Sequence, residues 1–115
     1  MNDHSVESHF EGRTPVVRAI YDTLLGIAGD FGPFAAVPKK TSIHLDRRSA
    51  FAGIQTRKEC LILTVKSPVE IHDDRIGKRE HISANRWYFE IKLHSPDEID
   101  ASIINWLRKG YEISA

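Results

Sequence analysis

The chain has 115 residues, of which 41% are apolar and 28% are charged, and its 16 basic and 16 acidic residues give a formal net charge of zero. This length and composition are those of one globular domain over residues 1–115, which excludes an intrinsically disordered chain and leaves little room for two domains. The single cysteine, Cys60, excludes an intrachain disulfide and favours a reducing cytoplasm, and the polar, acidic first residues do not form a secretory signal.

The first predicted element is an amphipathic helix, which follows an N-terminal extension over residues 1–13. Thr14 is a favourable N-cap, and Pro15 suits the first helical position because it has no N–H to leave unpaired. Gly29 is typical of a helix end. Apolar residues recur between these signals at the spacing of one helical face: Val17, Ile20, Tyr21, Leu24, Leu25 and Ala28. The pattern predicts a helix over 14–29.

Residues 34–94 are predicted to form an antiparallel sheet, because their apolar and polar residues alternate. Extended runs are expected over 42–46, 51–56, 60–66 and 86–94. A further short strand is expected near 79–83, because an unstructured link of the length between residues 66 and 87 is rare in a small domain. The links over 46–49 and 57–59 are too short for parallel crossovers. The pattern therefore predicts an antiparallel meander of four or five strands.

The last predicted element is a helix over residues 95–110. Ser95 and Glu98 have the spacing of a capping box, and Pro96 occupies the first helical position between them. Gly110 is a candidate for the end of the helix. The apolar faces of the two amphipathic helices must be buried against another element. We therefore expect an α+β domain of two layers, with both helices on one face of the sheet.

The other face of the sheet is then predicted to be open. It should carry His44, Tyr88, Glu90 and Lys92, with either Ile62 or its neighbours beside them. Tyr88 near Ile62 would make a patch of mixed character. Two outcomes remain open for this face. It pairs with a second copy of the chain, or the segment Ser67–Arg79 covers it in a monomer.

Several segments along nearly the whole chain resemble the bacterial family of the domain of unknown function 5655. The resemblance is carried by His9-Phe10, the helix after Pro15, Lys40-Thr41-Ser42-Ile43, Phe51-Ala52, Ser95 to Asp100 and Tyr111. It implies a free-standing or fused bacterial domain with no established activity. It therefore supports the fold more than any chemistry.

Two groups of residues are candidates for metal-dependent chemistry. Glu90 and Lys92 stand on a strand in the Glu-x-Lys arrangement of metal-dependent nucleases, and Asp74 could be the upstream aspartate. His72, Asp73 and Asp74 form the densest group of metal-ligating side chains. The strand order does not match such a nuclease, and a polar turn explains the second group. We therefore predict no catalytic residue, no bound metal and no cofactor, and lean against an enzyme.

Basic residues concentrate in the loops between the predicted strands. Residues 31–94 carry 12 basic and 7 acidic side chains. Loops at one end of a sheet can meet, and cations near an aromatic ring suit a phosphate backbone. The candidates for nucleic-acid or anion binding are Lys39, Lys40, Arg47, Arg48, Lys78, Arg79 and Tyr88.

The sequence favours a non-catalytic protein-interaction or accessory module of the cytoplasm, whose partner is an unknown protein or a second copy of itself. A nucleic-acid-binding module is the alternative, and a metal-dependent hydrolase or nuclease is a third, less favoured hypothesis. No stretch approaches the ~18 consecutive apolar residues of a membrane span, so we expect no membrane partner.

Overall fold

The computed structural model describes residues 4–115, which form an α+β fold with an open antiparallel sheet and two helices. The helices and strands, in chain order, are α1 Pro15–Phe31, β1 Ala35–Pro38, β2 Ile43–Asp46, β3 Ala50–Thr56, β4 Leu61–Ser67, β5 Ile76–Ser83, β6 Arg86–Leu93 and α2 Ala101–Glu112. Short 3₁₀ turns, Glu7–Phe10 and Pro96–Glu98, precede the two helices. The predicted class is confirmed, but the sheet has six strands, so the predicted number of four or five is wrong.

The strand that the sequence pattern missed is β1. It has four residues, Ala35–Pro38, and pairs with β2 from Ala35 opposite Asp46 to Pro38 opposite Ile43. Proline is tolerated there because β1 is an edge strand. A run of two alanines, a valine and a proline has no alternation of apolar and polar residues, so only pairing with β2 defines it as a strand.

The predicted meander is interrupted at β5 and β6. The strand order across the sheet is β1-β2-β3-β4-β6-β5, so β6 lies between β4 and β5. Phe89 and Ile91 of β6 pair with Val65 and Leu63 of β4, whereas β5 is exposed along nearly its whole length. The hairpin therefore places the more apolar strand inside the sheet and the charged strand at its edge, where charge opposes unwanted pairing.

Both helices lie on one face of the sheet, which we call the inner face. Leu24 and Ala28 of α1 and Ile103 and Leu107 of α2 are buried against it. Trp106 of α2 meets the Phe89 ring edge-on, with ring centroids 6.2 Å apart. The strands contribute mainly alternate residues to this core, and a register shift between β2 and β3 brings Phe51 into it next to Ala52: Ile43, Leu45, Phe51, Ala52, Ile54, Leu61, Leu63, Val65, Ile76, Phe89, Ile91 and Leu93. The two-layer arrangement leaves the opposite, outer face without a helix.

Helix α1 continues past Gly29, where the sequence pattern ended it. It runs to Phe31, whose ring packs on Tyr111 at a centroid distance of 5.7 Å. The helix ends at Gly32, whose φ of 143° is open to glycine but not to other residues. Tertiary packing of Phe31 therefore extends the helix beyond the first glycine.

Helix α2 begins later than the capping box predicts. Pro96–Glu98 form a 3₁₀ turn, and the Ser95 hydroxyl makes no capping hydrogen bond. The helix starts at Ala101, and the backbone N–H of Ile103 donates to Oδ1 of Asp100 at 3.0 Å. Asp100 is therefore the N-cap, and the prediction for Ser95 is wrong.

No helix within residues 4–115 combines the length and the apolar character that a membrane crossing requires.

We expect replacement of Asp100 with Ala to lower the free energy of unfolding by about 1–2 kcal/mol, the usual worth of a helix N-cap. The change also removes one partner of Arg75, whose Nη1 donates to Oδ2 of Asp100 at 2.9 Å. A urea titration measures the loss, and Ser95→Ala is the matched control. A larger loss in Ser95→Ala than in the Asp100 variant would contradict this assignment of the cap.

Stability should also depend on pH through the two carboxylates around Arg75. Hydrogen bonds from Arg75 lower the pKa of Asp73 from 3.8 to about 2, and the backbone N–H of Ile103 lowers the pKa of Asp100. A carboxyl group with a lower pKa in the folded state stabilises the fold above its unfolded pKa, and this contribution is lost as pH falls through the folded value. We expect the free energy of unfolding to fall between pH 4 and pH 2, less steeply in Asp100→Ala. An unchanged slope would rule out the contribution of Asp100.

Candidate binding groove on the outer sheet face

The outer face carries a half-open groove of about 290 Å³. Gly53 of β3 lies at its centre, with His44 of β2 and Thr64 of β4 as its partners on the two neighbouring strands. We call it the Gly53 groove. Its polar and aromatic lining comprises Ser42, His44, Gln55, Thr64, Lys66 and Tyr88.

The absence of a side chain at Gly53 leaves room for this groove. Its φ does not lie in the left-handed region, so the backbone does not require glycine there. A Cβ at Gly53 would lie 3.7 Å from the Cβ of Thr64, which is ordinary van der Waals contact. Glycine inside a strand often marks a place where a ligand or another backbone approaches closely.

Lys66 lines the groove and is a buried cation. Only 2% of its surface is exposed, and its Nζ donates to Oγ of Ser49 at 2.9 Å and Oγ of Ser114 at 2.7 Å. Burial lowers the pKa of Lys66, Arg86 lowers it further, and Asp46 opposes both. The lysine thereby links the β2–β3 turn to the residues that follow α2.

Two further polar atoms near Lys66 are buried without a hydrogen-bond partner within residues 4–115. They are Oδ1 of Asp46, at the end of β2, and Nε of Arg86, at the start of β6. Buried polar atoms without a partner are rare in folded proteins and call for an explanation, such as a bound group. One buried acceptor and one buried donor without partners therefore lie beside the end of the groove that Lys66 lines.

The link between β4 and β5 does not cover the outer face. Ile71 packs against the core, and the Arg75 guanidinium lies over the Trp106 ring, 5.5 Å from its centroid, and contacts Asp100. These contacts place the link on the helix side. The expectation that the segment Ser67–Arg79 covers the open face is therefore wrong.

The predicted residues lie on the outer face, and Ile62 lies beside Lys92 there, but Ile62 and Tyr88 are too far apart to form one patch. Tyr88 pairs with Lys66, whereas Ile62 pairs with Lys92. Four residues of strand separate the two positions, about 13 Å at the rise of a β-strand. Tyr88 belongs to the Gly53 groove and Ile62 does not.

The structure does not bring the three nuclease candidates together. Glu90 and Lys92 lie on the outer face, opposite Thr64 and Ile62 of β4. Asp74 belongs to the turn before β5, and its neighbours Asp73 and Arg75 are tied to Asp100 on the helix side. Asp74 makes no hydrogen bond or ion pair with Glu90 or Lys92 in the part of the chain that the structure describes, so the arrangement needed to hold a metal is missing there.

The other metal candidates have partners of their own. Nε2 of His72 lies 3.6 Å from Oε1 of Glu70, and Asp73 accepts hydrogen bonds from Arg75. Within residues 4–115, no three side chains of the metal-ligating types form a group that could hold an ion. His72, Asp73 and Asp74 thus form a polar turn.

The basic candidates are distributed over several parts of the sheet. Arg47 and Arg48 lie in the β2–β3 turn, and the Arg47 guanidinium lies 4.2 Å from the centroid of the Tyr111 ring. The turn with Lys39 and Lys40 is at the opposite end of β2. Lys78 and Arg79 lie on the edge strand β5. Four strand spacings separate β2 from β5, about 19 Å, so these residues do not form one basic surface.

Sequence reasoning missed Gly53, Lys66 and Arg86. A glycine inside an alternating strand was a signal for Gly53. The lysine that follows Val65 was a weaker signal, because a charge at that position is also normal for the outer face of a sheet. Arg86 carried no signal, since its closeness to Lys66 depends on the pairing of β4 with β6.

The chain was compared with protein families, curated proteins and solved structures. A family model described as a domain of unknown function, DUF5655, matches residues 6–114. No curated protein and no solved structure matches the chain. The family match covers every helix and strand described above.

Proposed function

We infer the function from the groove itself, because the chain belongs to the DUF5655 family, whose description names no activity. We propose that the chain is a non-catalytic binding module and that a short segment of a partner protein binds in the Gly53 groove. The observation that carries this proposal is an open sheet face with a groove that no described residue fills.

The size and lining of the groove support a short segment as its occupant. Its volume lies near the lower end of the range for ligand pockets, which suits one or two side chains. Hydroxyl, amide and imidazole groups can hydrogen-bond a peptide, and the Tyr88 ring can pack on it. Val69 and Ile82 are the large apolar side chains exposed among residues 4–115, and they lie in the β4–β5 link and near the end of β5. The outer face therefore offers little to a broad apolar partner.

The other functions that the sequence left open have less support. A nucleic-acid-binding module would use a continuous basic surface, and the basic candidates are dispersed. A metal-dependent hydrolase would need Asp74 near Glu90. A second copy of the chain could occupy the outer face, and the net charge of zero would not oppose it. The proposal includes the cytoplasm as the compartment, which the free thiol of Cys60 supports.

A peptide selection tests the proposal, with Gly53→Val as the variant that fills the groove. Random peptides displayed on phage are selected against the unaltered protein, and the dissociation constants of the selected peptides are measured with each variant. We expect Gly53→Val to weaken binding by on the order of a hundredfold, a loss of about 3 kcal/mol. The fold should remain, because a Cβ at this position meets only the Thr64 side chain.

Gly77→Val is the matched control, because it places the same side chain in a strand outside the groove, where a Cβ meets nothing within 4 Å. Its peptide affinities should stay within about twofold of the unaltered protein. Selected peptides that bind Gly53→Val unchanged would contradict the proposal. Sedimentation at micromolar concentration tests whether a second copy of the chain occupies the groove instead. A dimer that is dissociated by Gly53→Val would mean that a second copy fills it.

A further inference from the structure

Lys66 is a buried ammonium group without an ion-pair partner in the described part of the chain. Both of its hydrogen bonds go to neutral hydroxyl groups, those of Ser49 and Ser114. No carboxylate among residues 4–115 forms an ion pair with it. Buried lysines are almost always paired, because removing a charge from water is costly. An ammonium group also has three N–H donors, so one remains for a further acceptor.

Arg86 adds a second cation beside Lys66. Lys66 pairs with Tyr88, so Arg86 is its diagonal neighbour on the outer face, and such neighbours have Cβ atoms about 7–8 Å apart. The Nε of Arg86 is buried without a hydrogen-bond partner within residues 4–115. Lys66 lines the groove and Arg86 does not, so the second cation lies beside the end of the groove that Lys66 lines.

Asp46 contributes the one carboxylate that influences Lys66 electrostatically. Its Oδ1 is buried and has no hydrogen-bond donor among the described residues. Lys66, Arg86 and Asp46 together carry a formal surplus of one positive charge. A singly charged carboxylate balances that surplus, whereas a phosphate dianion would exceed it and would be repelled by Asp46.

We propose that the Lys66 end of the Gly53 groove, beside Arg86, binds the carboxylate of an acidic side chain, an Asp or Glu of the partner segment. This inference rests on the proposed function, since it names the chemistry of the segment that occupies the same groove. The carboxylate takes the free N–H of Lys66 and lies in the field of Arg86, while Asp46 accepts a hydrogen bond from a backbone N–H of the segment. Hydrogen bonds between charged groups are stronger than those between neutral ones, so this contact selects acidic segments.

Two blocked tripeptides test the inference directly. Acetyl-Ala-Glu-Ala-amide and acetyl-Ala-Gln-Ala-amide differ in charge and hardly in shape, and each is titrated into the isotope-labelled protein while its amide resonances are followed. We expect the glutamate peptide to shift the amides of Lys66 and Tyr88 and to bind on the order of tenfold more tightly than the glutamine peptide.

Three variants locate the source of this preference. Lys66→Met keeps an unbranched side chain and removes the charge, and it should reduce the difference between the peptides to less than about twofold. The Arg86 side chain is partly exposed, so Arg86→Gln should keep the fold. It should also reduce the preference for the glutamate peptide, and it provides the test if Lys66→Met does not fold. Lys92→Gln removes a cation from the same face, outside the groove, and should leave the preference unchanged.

The outcomes separate this inference from the proposed function. Equal binding of both peptides in the groove, or a preference that survives in Lys66→Met and Arg86→Gln, would overturn the carboxylate site and leave the groove as a binding site. Inorganic phosphate that binds as tightly as the glutamate peptide would overturn the choice of a carboxylate. If neither peptide shifts these amides, the carboxylate site is also overturned, and the selection with Gly53→Val decides the proposed function independently.

Discussion

Phe89→Ala should lower the free energy of unfolding by about 3–5 kcal/mol, because it leaves a large cavity in the centre of the core. Phe89 is 1% exposed, pairs with Val65 of β4 and meets the Trp106 ring of α2 edge-on. The side chain thus joins the sheet to the second helix. A loss of this size is a large share of the stability of a small domain.

Tyr88→Ala is the control for that measurement, because Tyr88 directly precedes Phe89 in β6 and points to the outer face. It is only partly buried, and we expect its loss to stay near 1 kcal/mol, in the range of ordinary substitutions. Denaturant titrations with linear extrapolation give both values. A loss below about 1 kcal/mol for Phe89→Ala would mean that the two faces of β6 are assigned backwards.

Gly110→Ala should be the second severe substitution, lowering the free energy of unfolding by about 2–3 kcal/mol through overpacking. A Cβ at Gly110 would lie 2.7 Å from the backbone oxygen of Lys66 and 3.1 Å from that of Phe51. Neither oxygen can move without shifting its strand, so α2 must move away from the sheet. The sequence pattern ended the helix at this glycine, but the helix continues to Glu112. Gly110 is needed for close approach and not for a helix end.

Gly26→Ala is the matched control in helix α1, where a Cβ would meet nothing within 4 Å. Alanine is the better helix former by up to about 1 kcal/mol, so this variant should be slightly more stable than the unaltered protein. The same chemical change should therefore act in opposite directions in the two helices. Thermal melting of both variants checks this, and a Gly110→Ala protein as stable as Gly26→Ala would show that α2 does not approach the strands so closely.

The central strands could be predicted from the sequence, because their alternation reflects one buried face. Phe89, Ile91 and Leu93 alternate with polar residues in the run over 86–94, and all three are buried in the core. The edge strands β1 and β5 show no such alternation of apolar and polar residues, since an edge strand is defined by its pairing more than by burial. The position of β6 between β4 and β5 depends on which strand buries more apolar surface, and a pattern read along the chain does not contain that comparison.

At the helix ends, tertiary contacts decide the boundary even where a nearby residue type favours a different position. Ser95 and Gly29 both have the residue types of helix ends. Asp100 caps α2 because its carboxylate also holds Arg75, which belongs to a distant segment. Gly32 ends α1 because Phe31 packs on Tyr111. The competing positions differ by contacts that exist only after folding.

The candidate groove was only partly predictable. His44 and Tyr88 were expected on the open face, and both line the groove. The groove itself arises where Gly53 lies between His44 and Thr64, which requires the register of three strands. The unpaired charge of Lys66 is a property of its burial, and a lysine on an outer face is ordinarily in water.

Amide shift mapping with the tightest selected peptide shows directly whether the Gly53 groove is the binding site of the module. We expect the largest shifts on outer-face residues around the groove, at His44, Gly53, Thr64 and Tyr88, and nearly unchanged amides in α1 and α2. The largest shifts falling instead on the helices or on the Arg47–Arg48 turn, with the groove unaffected, would contradict this assignment of the binding site.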